Sequence, residues 1–139
     1  MKKHYSYYKK RHVTKLPVYR KALHIFKLSR QIVDFLRGDK SVLDLHRSSC
    51  TSDQFSEKLI MASLGLAPKI AIAESSPDPT VKHASISSIE RTTAAILHYC
   101  EKLESSHKQS SEFLNLLRTE VRKFGHLHDK WAIGLHNKN

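Results

Sequence analysis

The sequence predicts an all-α protein, an antiparallel up-down four-helix bundle with a basic N-terminal extension. Three observations predict it. Glycine and proline are sparse, four each in 139 residues, so breakers are too few for a turn-rich β architecture. Apolar residues recur at helical rather than alternating spacing. Polar or proline-bearing breaks divide the chain into four amphipathic segments, at least two of them joined by short connections, which favours antiparallel neighbours. The length fits one domain able to bury a core without metal or disulfide support. The division expected is a basic, flexible arm over 1–15 and the bundle over 16–136.

The first helix is predicted from Pro17 to Leu36, with Pro17 suited to a first-turn position. Val18, Ala22, Ile25, Phe26, Ser29, Ile32, Val33 and Leu36 form its apolar stripe. Arg20, His24, Lys27 and Gln31 lie opposite. Leu28 and Phe35 fall off the stripe, as ordinary surface apolars or as residues facing a second subunit. Gly38 is the expected C-terminal stop, so Arg37-Gly38-Asp39 reads as a helix end, not an adhesion motif.

Residues 37–53 read as a long connection, with Val42, Leu43 and Leu45 tucking under the bundle end. The second helix is predicted from Asp53 to Glu74. Phe55, Leu59, Ala62, Leu66, Ile70 and Ala73 share a face that Ile60, Leu64, Ala67 and Ala71 widen and Met61 and Ile72 extend further. Between Leu59 and Ala73 only Lys69 is charged. A helix apolar nearly all round is buried on most sides, in a core or between subunits. Leu28, Phe35, Met61 and Ile72 are therefore the candidate subunit contacts. Pro68 is expected to kink this helix because it lacks an N–H donor.

Ser75–Thr80 is a break, and Asp78-Pro79 is a good N-cap and N1 pair for a third helix reaching Ser105. Its stripe is Ile86, Ile89, Thr93, Ile96, Leu97, Cys100 and Leu103. The fourth helix follows a short polar link. Its stripe is Phe113, Leu116, Leu117, Val121, Phe124, Leu127, Trp131 and Leu135. A polar tail, His136–Asn139, ends the chain. Glu120 and His128 intrude on this stripe. A buried carboxylate needs a partner or a shifted pKa. Glu120 is open to a partner in the bundle, a partner across an interface, or a wet part of the seam. His128 reads as a partly buried, hydrogen-bonded histidine.

Charge is the sharpest functional signal. The formal net charge is +11. Residues 1–33 carry ten of the 24 lysines and arginines and no acid. The remaining 106 residues carry a net of +1. So concentrated a field attracts polyanions. The candidate binding residues are Lys2, Lys3, Lys9, Lys10, Arg11, Lys15, Arg20, Lys21, His24, Lys27 and Arg30. Tyr5, Tyr7 and Tyr8 interleave with the first of these, as in surfaces that stack unpaired bases while cations meet phosphates. A solvated tail is the plain alternative for the first dozen residues. No base-reading motif is present, so binding to RNA or DNA is expected to follow charge and shape with little sequence preference.

Other chemistry finds little support. Ten histidines include no i, i+4 pair, and there is no Glu-x-x-His, so neither a metal nor a cofactor is expected. Glycine-rich phosphate loops, Gly-x-Ser-x-Gly and Cys-x-x-Cys are absent from the sequence. Cys50 and Cys100 read as a loop thiol and a core filler. No secretory h-region or membrane-spanning run is visible, so a cytoplasmic protein is expected, with no membrane partner. Arg122 and His128 resemble the Arg-x(4–6)-His signature of HEPN-type ribonucleases. On a regular helix, however, they point about 120° apart.

Two stretches, LPVYRKALHIFKLSRQIV (16–33) and KIAIAES (69–75), resemble proteins encoded by 23S rRNA intervening sequences. SLGLAPKIAIAES (63–75), the third helix around Ala84 and Ile89, and EVRKFGHLHDKWAIGL (120–135) resemble the accessory variability determinant (Avd) of diversity-generating retroelements. Both groups share one four-helix-bundle superfamily. The connection at 37–53 and the basic extension before Leu16 depart from the pattern. Resemblance to Avd implies a homopentamer of four-helix bundles that binds nucleic acid and partners a reverse transcriptase in mutagenic copying of a template RNA. It implies no catalytic activity. Resemblance to the intervening-sequence group implies a similar oligomeric bundle with no defined role.

Overall fold

A computed structural model describes residues 12–137, and among these every regular element is helical. Residues 12–15 form a helical turn. α1 follows at Pro17–Arg37, a short α2 at Val42–Arg47, α3 at Thr51–Leu64 and α4 at Leu66–Ser75. α5 is Pro79–Ser106, a 3-10 turn spans Lys108–Ser110, and α6 is Ser111–Asn137. α1 packs against α3, α4 and α6, and α5 packs against the same three. One main core joins them, filled by Ile25, Ile32, Leu59, Ile70, Ile96 and Phe124 among others.

Each boundary has a local cause. Pro17 opens α1 with its φ already helical. Gly38 ends it at φ 69°, a conformation that costs other residues a Cβ clash. Ser41 and Asp44 form a reciprocal capping box that nucleates α2 inside the connection read as a loop. Of the three apolars expected to tuck under the bundle, Leu45 alone is buried, and Val42 and Leu43 are exposed. Asp78 caps α5, its Oδ1 accepting the Thr80 N–H at 2.9 Å.

Several expectations are corrected. Val13 is buried, so the packed body begins before residue 16. The single helix predicted over 53–74 is two helices divided at Gly65. Proline at 68 offers no N–H to the Leu64 carbonyl, and the chain tightens one turn before the ring. The Gly65 N–H is shared between the carbonyls of Met61 and Ala62 at 3.2 Å each. Leu28, placed off the α1 stripe, is in the core. α1 faces α3, α4 and α6 together, so its buried arc is wider than one stripe.

The expected α6 stripe holds from Leu117 onward, with Leu127 and Trp131 packed against the core, and departs from expectation in its first turns. Leu114, Leu117, Val121, Phe124, His128 and Leu135 are buried, whereas Phe113 and Leu116 are exposed. The helix runs through the residues expected to form a tail, as far as Asn137.

Candidate nucleic-acid interface

The basic face of α1 and the neighbouring edge of α6 meet along one seam. Lys15, Arg20 and Lys27 are exposed. Lys21 turns toward α6 instead, and His24, itself exposed, stands at the same edge. Lys21 Nζ donates to Glu120 Oε1 at 3.0 Å, and His24 Nδ1 lies 3.3 Å from the same oxygen. Lys123, one turn along α6, reaches Glu120 Oε2 at 3.2 Å. Glu120 is only 6% exposed.

An unpaired carboxylate so buried costs several kcal/mol, which explains why a lysine from another helix bends to it. The Lys21 hydrogen bond, with Lys123 adding and burial opposing, holds its carboxyl below the ordinary range. The partner for Glu120 therefore lies within the chain. Two lysines and a histidine surround one negative charge, so the seam stays electropositive.

Of the other predicted cations, Arg30 is committed internally. It pairs with Asp34 at 3.1 Å and donates to the Lys40 carbonyl. Lys2, Lys3, Lys9, Lys10 and Arg11 lie outside the described residues. Lys123 was missed by sequence reading. Its signal was its place three residues after Glu120, on the same side of the helix.

The subunit-contact candidates divide. Leu28 is spent on the core. Phe35 is 63% exposed and its ring lies 4.7 Å from that of Phe113, itself 45% exposed. Met61 and Ile72 are exposed on α3 and α4. Ile72 also lines an open groove of about 560 Å³ with Val13, Thr14, Tyr19 and Ala71.

At the opposite end of the seam from Phe35, His128 is 4% exposed between Phe124 and Trp131, at 6.1 and 5.7 Å between centroids. Its Nε2 has no hydrogen-bond partner. Its Nδ1 lies 3.6 Å from Asp129 Oδ1, so one carboxylate and aromatic packing hold this ring. Arg122 is exposed. Nearby, the Trp131 indole donates to Glu74 Oε2 at 2.9 Å, tying α6 to α4.

Among the described residues, no group of three or more histidines, cysteines or acids is placed to hold a metal ion. No described helix is long and apolar enough to cross a membrane. Comparison with known proteins finds no matching family model, no matching curated protein and no matching solved structure.

Proposed function

We propose that this chain is a non-enzymatic nucleic-acid-binding accessory protein that partners a retroelement reverse transcriptase. The observation that carries the reading is the charge map. Ten cations and no acid fill the first 33 residues, and Arg20, His24 and Lys27 stand on the outer side of α1. A polyanion with regularly spaced phosphates is the natural ligand for such a ridge. Lys123 extends the ridge onto α6, and Glu120 fixes the spacing of the two lysines it holds.

The helices are read as an up-down four-helix bundle, α1, α3–α4, α5 and α6. The pairing of Arg37 with Asp53, and the groove shared by Tyr19 and Ile72, favour an antiparallel first pair. The packing of α1 and α5 each against the other elements, with α6 closing the ring, supports the same arrangement. Two stretches that carry the resemblance to Avd also touch. Glu74, from the first, accepts the indole N–H of Trp131, from the last. The exposed Met61 and Ile72 suit contacts between copies, as the pentamer implied by that resemblance requires.

The test is co-expression with a reverse transcriptase encoded beside this chain. The expected result is a stable complex that retains RNA. A genomic neighbourhood without such an enzyme and its repeat pair, or a complex that never forms, contradicts the reading and favours the intervening-sequence group.

A further inference from the structure

We infer that the α1/α6 seam takes single-stranded nucleic acid, with an unpaired base stacked on the Phe35–Phe113 pair and the adjoining backbone held by His24 and Lys123. The inference rests on the nucleic-acid reading above and names the strand form it selects.

The geometry comes from two contacts between the same helices. Phe35 meets Phe113 at 4.7 Å between ring centroids. His24 meets Glu120 at 3.3 Å. On α1, eleven residues separate Phe35 from His24, which returns the side chain to within about 20° of the same direction. On α6, seven residues separate Phe113 from Glu120, again within about 20°. The aromatic pair and the cationic cluster are therefore two points on one seam, about 16 Å apart along α1 at 1.5 Å per residue. That is the reach of a few nucleotides.

The chemistry selects the strand form. Both phenylalanines keep much of their surface in water, although they pack on each other. An aromatic face contributes to nucleic-acid affinity only when a base is free to leave its neighbours and lie on it. In a duplex the bases already stack on one another, and the protein meets phosphate and sugar alone. The nearby cations supply the charge complementarity for a phosphodiester, and an apolar protein partner would gain nothing from them. Cations and a stacking surface within one short span match an unpaired strand better than a helix of RNA or DNA.

The experiment measures fluorescence anisotropy with a short unstructured RNA and with the duplex it forms with its complement, at one ionic strength. Phe35→Ala and Phe113→Ala are each expected to weaken single-strand binding by about 5- to 100-fold. Duplex binding should stay within about twofold, and the salt dependence of single-strand binding should not change, because no phosphate contact is lost. Phe35→Trp should restore the single-strand affinity. Thermal melting checks that each variant is folded.

Equal losses for both nucleic acids, or no loss for either, would overturn the inference while leaving the nucleic-acid reading intact. If the unsubstituted protein binds neither probe, that reading itself falls, and the inference with it. A Phe35→Ala protein that changes its oligomeric mass but keeps its preference among the probes would show the pair to be a contact between copies, and would also overturn it.

Discussion

Asp53, Glu74 and Glu120 are almost completely buried, and each is answered from another part of the chain. Asp53, 1% exposed, takes Arg37 at 2.6 Å and Lys40 at 2.7 Å. Arg37 also lies 3.2 Å from a ring nitrogen of His107, so the knot joins the end of α1, the start of α3 and the turn after α5. Burial opposes the charge of Asp53, but the hydrogen bonds from Lys40 and Arg37 outweigh it and hold the carboxyl well below its ordinary value. A group with a lowered folded-state pKa stabilises the protein above its unfolded pKa. That stability is lost as pH falls toward the folded pKa. Acid should therefore begin to destabilise the fold near pH 5, and progressively below it. Asp53→Asn leaves two cations without their counter-charge and should cost about 3 kcal/mol at neutral pH, the lower end for breaking a buried pair. Denaturant melts of both proteins from pH 7 to pH 3 check this. The expected result is a large gap at pH 7 that narrows in acid. A constant gap would show that Asp53 contributes packing and no charge.

At the scale of the element, α3 and α4 show what proline does at a distance. Gly65 sits at the break with helical angles, φ −75° and ψ −14°. A Cβ there would meet the Ala62 and Met61 carbonyls at 3.5 and 3.6 Å, ordinary contact distances. Pro68 therefore accounts for the break, and Gly65 merely tolerates it. Gly65→Ala should raise stability by about 0.5–1 kcal/mol, because it reduces the freedom of the unfolded chain without straining the fold. A thermal melt tests it, and a lowered midpoint would mean that the break needs glycine.

The same scale explains what the sequence made legible. Helical existence, the Asp78 cap and the α5 stripe followed from spacing and capping chemistry. The first turns of α6 did not: Phe113 and Leu116 are apolar but exposed, and Leu114 is buried in their place. Leu28 was misplaced because periodicity finds the centre of a buried face and not its width. α2 was missed because it is six residues long and its signal is a capping box, not a stripe. Of the site, the cations of α1 were legible as charge. That Lys21 turns to Glu120 depends on a neighbouring helix that no local pattern reveals, whereas the Arg30–Asp34 and Glu120–Lys123 pairs are i, i+4 and i, i+3 spacings within one helix.

At the scale of the molecule, a nearly neutral helical body carries a strongly basic first quarter. Among the described residues, Lys21 is spent on Glu120 and Arg30 on Asp34, and Lys15, Arg20 and Lys27 stay on the surface. Ionic strength decides between a ridge that grips a polyanion and one that is only solvated, because phosphate neutralisation releases counterions. The most direct measurement is the slope of log affinity against log salt for a short single-stranded RNA. The account predicts a slope of about −3 or steeper, as expected when four or more phosphates are neutralised. Arg20→Gln combined with Lys27→Gln should make it shallower by about 1.4, near 0.7 for each cation removed. An affinity that does not change with salt, or a slope that survives the double substitution, would contradict it.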